Sequence, residues 1–304
     1  MSTNPIKLER HGLTANGLRL LDSGDEATLE AFLRRHADSS MFLRSNARAA
    51  GLEYHGAPLE ATYVAAFRGG VITAVAAHCW NGMILVQAPE RVPDVARAAV
   101  EHSRRPVAGF SGPVDQVAAA RRALGLDRAP AAKDSAERLY ALSLDDLVVP
   151  PALASRAVAC RHPEPHELDL LTRWRTAFSI EALGFAESPA LAADARADIL
   201  RHQRDGSHWI LLDGGTPVSY SALNARLPDT VQIGGVWTPP EARGRGYARA
   251  VVAGSLLEVR RQGATRAVLF TDDPAAERAY EAIGFRAVGV YGLVLLLEPM
   301  IVAG

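Results

Sequence analysis

The residues best placed to do chemistry lie in Thr238-Pro-Pro-Glu-Ala-Arg-Gly-Arg-Gly-Tyr-Ala-Arg-Ala250, directly after the strand-like run Val231-Gln-Ile-Gly-Gly-Val-Trp237. Gly244 and Gly246 lack a Cβ, so the chain between them can curl and turn successive N–H groups onto one anion. A helix opening at Ala248 adds the positive end of its dipole, which favours a bound phosphate by about 0.3–1 kcal/mol per contact. A strand, a glycine turn and a helix start in this order read as a cradle for a pyrophosphate. Arg243 and Arg245 stand beside it as candidate charge partners.

The elements that must position this loop follow from hydrophobic periodicity. Strand-like runs at Ala61 to Arg68, Val71 to Cys79 and Met83 to Ala88 precede a helix at Val92 to Arg104, a strand at Val107 to Phe110, a helix at Val114 to Leu124 and a strand at Arg138 to Leu144. The second half repeats the order. A helix at His166 to Leu183 leads to strands at His208 to Asp213, Val218 to Ala225 and Val231 to Val236. After the loop come a helix at Ala248 to Gln262, a strand at Ala267 to Phe270, a helix at Pro274 to Ile283, and strands at Phe285 to Val290 and Leu293 to Leu297. The fold class is α/β, a mixed α+β sheet flanked by helices, built twice.

Two local matches support a duplication. Ala120-Arg-Arg-Ala-Leu-Gly-Leu126 aligns with Ala279-Tyr-Glu-Ala-Ile-Gly-Phe285, and the segment from Pro89 to Val100 aligns with that from Pro240 to Val252 after one deletion. The division expected from this is 1–150 and 151–304, with a linker near Val149-Pro-Pro-Ala152. Where the second copy has Arg245-Gly246 the first has Pro93-Asp94. Proline removes an N–H donor and aspartate puts a negative charge where a phosphate would sit. The first copy is therefore expected to lack a cofactor site.

Composition bounds the partners. At 304 residues, two cores are expected; 48% apolar and 22% charged residues are ordinary globular proportions, and a net charge of −1 argues against nucleic acid or an anionic membrane. No run approaches the ~18 apolar residues of a membrane span, and Met1 to Arg10 has no signal-peptide core, which points to a cytoplasmic protein. Cys79 and Cys160 stand alone, without metal-ligand or disulfide spacing, and read as buried free thiols.

With the loop and its repeat in view, the second half resembles the GCN5-related N-acetyltransferase (GNAT) family. The family pattern Gln/Arg-x-x-Gly-x-Gly/Ala is met by Arg243, Gly246 and Ala248, and Asp273-Pro-Ala-Ala-Glu-Arg-Ala-Tyr-Glu-Ala-Ile-Gly-Phe285 matches the family's later helix with its Tyr and Gly-Phe. The resemblance covers roughly 165–297 and implies a tandem two-domain protein with a degenerate first copy. It implies that acetyl-CoA (coenzyme A) wedges between the strand ending near Val236 and the strand ending near Phe270. Val236, Trp237 and Thr238 would lie along the pantetheine arm, and the N–H groups of Gly244, Arg245, Gly246, Tyr247 and Ala248 would hold the pyrophosphate. Asp273 and Ala276 would lie beside the cofactor. Asp273 stands where the family often has Asn, but a carboxylate cannot donate as an amide can, and an N-cap for the helix starting at Pro274 is the preferred reading.

The activity implied is transfer of an acetyl group to a primary amine of a small molecule or peptide by direct attack, in a cleft near the domain interface. An alkylamine is only ~10⁻³ neutral at pH 7, so a base or a desolvating pocket is needed. The resemblance places Tyr280 beside the leaving sulfur as general acid, although Ala276, Tyr280 and Ile283 also share one helix face and suit plain packing. Glu181 is the candidate base, with Glu187 and water-mediated deprotonation as alternatives; His202 and His208 read as surface or strand-edge residues. Other candidates fall away: a dinucleotide fold would need a small residue at Arg249 and an immediate turn after the strand, and no Gly-Lys-Ser/Thr loop occurs. A non-catalytic acyl-CoA sensor remains the alternative function.

Overall fold

The computed structural model describes residues 17–302. In chain order its elements are β1 (Leu18–Leu20), α1 (Glu26–Leu33), α2 (Met41–Ala50), β2 (Ala61–Arg68), β3 (Val71–Cys79), β4 (Met83–Gln87), α3 (Val92–Ser103), β5 (Val107–Pro113), α4 (Val114–Ala123) and β6 (Ala131–Ser143). They continue with α5 (Pro151–Ala154), β7 (Val158–Arg161), α6 (Leu168–Leu183), α7 (Pro189–Asp205), β8 (His208–Asp213), β9 (Thr216–Arg226), β10 (Thr230–Trp237), α8 (Tyr247–Arg261), β11 (Arg266–Thr271), α9 (Pro274–Glu281) and β12 (Arg286–Met300). The described residues form two compact units, one of residues up to 137 together with those from 289 onward and one of 138–288.

Within the first unit the strands run β1-β2-β3-β4-β5-β12, and within the second β6-β11-β10-β9-β8-β7. Both are antiparallel except for one parallel step, β4 to β5 and β10 to β11 respectively. The strands read as near-continuous apolar runs because helices cover both faces. Along β2, Val64 and Ala66 join the core under α3 and α4, whereas Ala61, Tyr63 and Ala65 join the core under α1 and α2. Along β8, Trp209 and Leu211 face α8 while Ile210 packs with Leu171 of α6 and Ile199 of α7. Period-2 alternation thus feeds two cores per unit.

The units do not meet at the expected cut near residue 150. Residues 149–152 lie inside the second unit, where the Val148 N–H donates to Ile283 O at 3.1 Å. The boundaries fall within strands, because the last strand of each half completes the unit begun by the other. β6 pairs antiparallel with β11 from Arg138↔Thr271 to Ser143↔Arg266, and β12 pairs with β5 from Tyr291↔Pro113 to Leu295↔Gly109. Sequence periodicity marks a strand but carries no information on its partner. The two closing strands expected at 285–290 and 293–297 are one, β12, and α7 was not anticipated, although Ser188 caps it through Leu191 N at 3.1 Å and Pro189 opens it.

This exchange predicts that 151–304 expressed alone lacks β6, leaves an edge of β11 unpaired, and shows no cooperative melt by circular dichroism, whereas 131–288 retains one.

Candidate functional site

The site begins with a bulge. β10 pairs with β11 only at Thr230↔Arg266, Val231↔Ala267 and Gln232↔Val268, after which the two parallel strands share no pair. β11 continues along β6 to its end at Thr271, so the parting is due to β10. On its other side β10 keeps β9, but the register slips by one residue between Gly234↔Ala222 and Trp237↔Tyr220. Gly235 holds φ +61, a left-handed conformation that suits glycine, and a Cβ at Gly234 would lie 1.9 Å from Asn224 Nδ2. The extra residue also switches faces: Val231 and Ile233 pack toward α8, whereas Trp237 packs with Tyr220 and Leu171.

The glycine loop follows where the sequence places it. Gly244 and Gly246 both hold φ +78, and α8 starts at Tyr247 with Gly246 as N-cap and no side-chain cap. The first-turn N–H groups of a 15-residue helix are thereby left for an outside acceptor. Thr238 Oγ1 lies 2.9 Å from Ser219 Oγ. Trp237 is 6% exposed and its buried Nε1 has no partner among the described residues. Val236 and Ala276 are half-buried against the α8 core, Ala248 is half-buried in the first turn, and Arg245 is exposed. A glycine loop, an uncapped helix start and a parted strand pair fit a coenzyme A pyrophosphate and pantetheine arm.

Three expected site residues have protein partners of their own. The Tyr247 hydroxyl donates to Asp213 Oδ2 and its ring is buried, so the side chain anchors α8. Asp273 Oδ1 accepts from Ala275 N at 2.8 Å, which makes it the N-cap of α9. Arg243 donates from Nε to Thr238 O at 2.9 Å, lies 5.0 Å over the Trp237 ring, and pairs with Glu181 Oε1 at 2.9 Å. Glu181 is thus held against the loop by an exposed ion pair, worth little by itself. Glu187 is exposed.

Tyr280 is 7% exposed, with the Phe285 ring 6.0 Å away. Its hydroxyl has no hydrogen-bond partner among the described residues. Burial, helped by the Asp273 carboxylate, raises its pKa well above that of an ordinary tyrosine, so it keeps its proton throughout the neutral range.

Sequence reasoning missed a pocket of about 310 Å³ between α6 and α7, lined by Arg175, Ser179, Leu183, Phe185, Asp194 and Asp198 among others. Arg175 and Asp198 lie 23 positions apart on separate helices, and no motif joins them; the Ser188-Pro189 start of α7 was the one available signal. His202 and His208 correct the sequence reading, being 3% and 1% exposed. His208 Nδ1 lies 3.3 Å from the Tyr220 hydroxyl and Nε2 3.2 Å from Gln203 Oε1, and His202 Nδ1 lies 2.8 Å from Ser207 Oγ. Both thiols are free, and burial pushes each up to about 12.

The corresponding region of the first unit differs in its backbone. β4 and β5 also share three parallel pairs, Met83↔Gly109 to Leu85↔Ser111, but they do not part: a Cβ at Gly112 would lie 2.5 Å from Val86 O. The Ala88 N–H donates to Gln116 Oε1 of α4 at 2.6 Å. The α3 start carries Pro93, and Asp94 accepts from Arg91 Nε at 2.8 Å.

Residues 169–285 match the family described as Acetyltransferase (GNAT) family, and this part of the chain belongs to that family. Among solved structures, a Drosophila protein is similar over 93% of this chain and 99% of its own at 15% identity and a TM-score of 0.61. A GCN5-related N-acetyltransferase from Sphaerobacter thermophilus is similar over 94% and 97% at 15% identity and a TM-score of 0.55. A tandem GNAT protein from the clavulanic acid biosynthesis pathway is similar over 91% and 97% at 14% identity and a TM-score of 0.50. The fold is therefore that of GNAT proteins, tandem forms included. The family uses acetyl-CoA as cosubstrate and transfers acetyl groups. No curated protein matches the sequence. No helix among the described residues is long and apolar enough to cross a membrane.

The buried histidines set a pH dependence. Burial lowers His208 to about 4 and His202 to about 3, below the 6.5 of the free side chain, so the unfolded chain takes up protons that the folded one refuses. Stability is full above about pH 6.5 and is expected to fall toward pH 4, read as a falling melting temperature. His208→Gln should flatten that slope while lowering stability at neutral pH.

Proposed function

We propose that the chain is an acetyl-CoA-dependent N-acetyltransferase with one cofactor site, built by residues 151–304 with the help of β6, and with a primary amine as acceptor. The observation that carries this reading is the parting of β10 from β11 next to the uncapped glycine-loop start of α8. Acetyl-CoA supplies an activated thioester carbonyl at that gap. The backbone from Val236 to Thr238 offers an edge to the pantetheine arm, as an added strand would use. The N–H groups from Gly244 to Ala248 hold the pyrophosphate. Arg243 and Arg245 add charge, with Arg243 oriented by Glu181.

Tyr280 gives its proton to the departing sulfur, a role that suits a hydroxyl kept protonated by burial and free of protein partners. Asp273 supports this indirectly by capping the helix that carries Tyr280 and by keeping a carboxylate nearby that opposes its ionisation. Glu181 faces Arg243, so in this reading the amine's proton passes to water. The first half, 1–150, contributes a GNAT-like unit without a cofactor site. The Val86/Gly112 contact, the Gln116 bond to Ala88 and the Asp94 carboxylate support that assignment.

Calorimetric titration of acetyl-CoA should give one site per chain, and Gly246→Asp should abolish it. Binding to the variant at wild-type strength would refute the loop assignment. Tyr280→Phe should lower the acetyl-transfer rate about 10²-fold while the acetyl-CoA Kd stays within about twofold. An unchanged rate would remove Tyr280 from the chemistry, and binding without turnover in the wild type would favour a sensor.

A further inference from the structure

Arg175 is held in an unusual way. Its Nε and Nη2 both donate to Asp198 Oδ2, at 3.2 and 2.9 Å, while Arg201 Nη2 donates to the other carboxylate oxygen at 3.2 Å. The guanidinium carbon lies 5.2 Å from the Phe178 ring centroid, and the Arg175 side chain is 20% exposed. These contacts fix the plane of the guanidinium and leave Nη1 without a partner among the described residues. A Cβ at Gly235 would lie 3.2 Å from that nitrogen. A permanently charged donor pair is therefore aimed from the α6/α7 pocket at the bulge where β10 leaves β11.

The chemistry of that position is selective. On the reading given under Proposed function, the attacking nitrogen must approach the gap beside the bulge. With Asp198 offsetting its charge, Arg175 acts there as a directed donor to an anion, a contact that an ammonium ion cannot make. An acceptor with a carboxylate on the carbon bearing the amine places an oxygen within a few ångströms of the nitrogen, as Nη1 requires. The pocket walls Leu183, Phe185 and Leu191 then offer an apolar lining for an aliphatic side chain. Asp194, one helical turn before Asp198, lines the same pocket but has no part in holding this group.

We propose that the acceptor is a small α-amino acid with an aliphatic side chain, whose carboxylate is bound by Arg175 Nη1 beside the Gly235 bulge. In the transfer, the amine nitrogen forms a bond to the acetyl carbon as the carbon–sulfur bond breaks. The surplus proton on nitrogen goes to water, and the sulfur takes its proton from Tyr280, which water restores. Arg175 is a specificity residue in this account, since it touches the part of the acceptor that does not react.

The test uses the full chain and matched amines: leucine, its decarboxylated counterpart 3-methylbutylamine, and 1,5-diaminopentane, with release of the coenzyme A thiol followed. Leucine should exceed both amines in kcat/KM by at least about tenfold. Arg175→Gln should remove that preference through KM for leucine while the acetyl-CoA Kd stays within about twofold, and Arg175→Lys should restore part of it. Calorimetry of leucine into the coenzyme A-loaded protein reads the same contact without turnover, and Asp169→Asn, at an exposed carboxylate outside the pocket that pairs with Arg196, should leave it unchanged. Equal use of leucine and 3-methylbutylamine would overturn the inference, as would a preference for the diamine that Asp194→Asn abolishes; both leave the acetyltransferase reading standing. Failure to bind acetyl-CoA at all would instead defeat that reading, and this inference with it.

Discussion

The structure of the second unit turns on a single backbone event, the extra residue in β10 between Gly234 and Trp237. Two parallel strands that remain paired leave no room for a third chain between them, whereas a strand that bends away after three pairs exposes backbone groups on both sides of a gap. The bend depends on glycine twice. Gly235 takes the left-handed conformation, and the Asn224 side chain lies over Gly234 where a Cβ would have to be. From the bulge follow the placing of Trp237 on the α6 face, the nearness of Arg175 and Tyr220, and the direction in which the chain enters the phosphate loop.

The first unit is a natural control for this constraint. It keeps the parallel step, the helices on both faces and a helix after its central strand, yet β4 has no bulge after its last parallel pair and stays against β5. One backbone donor there is satisfied internally, the Ala88 N–H, which Gln116 Oε1 accepts. Asp94 occupies the first turn of α3 as its own anion. A similar plan of strands and helices thus keeps its parallel pair together in one unit and parts it beside the uncapped start of α8 in the other. Unsatisfied donors near solvent are where a ligand gains most.

Charge around the candidate site is arranged in pairs that orient rather than stabilise. Glu181 with Arg243, and Asp198 with Arg175, each leave one face of a guanidinium committed to protein and another free. The exposed Glu181–Arg243 pair contributes about 0–1 kcal/mol to folding. The effect of both pairs lies in fixing where the remaining donors point. Tyr280 is the complementary case: its hydroxyl has no protein partner among the described residues, and burial keeps it protonated.

Much of this was written in the sequence. The glycine loop before α8, the Asp273 cap, Tyr280 on the buried face of α9, and the strands β2, β3 and β8 to the residue all follow from local patterns of glycine, apolar spacing and capping chemistry. The contrast between Arg245-Gly246 and Pro93-Asp94 was equally local. What tertiary structure alone decided is non-local. The exchange of β6 and β12 depends on which sheet edge lies open, and the burial of His202 and His208 depends on α7 covering strands from elsewhere in the chain. The meeting of Arg175, Asp198 and Gly235 joins three segments separated by tens of residues, and no spacing within any one of them encodes it. A local pattern fixes which groups a segment can offer; only the packing of distant segments fixes which of those groups meet.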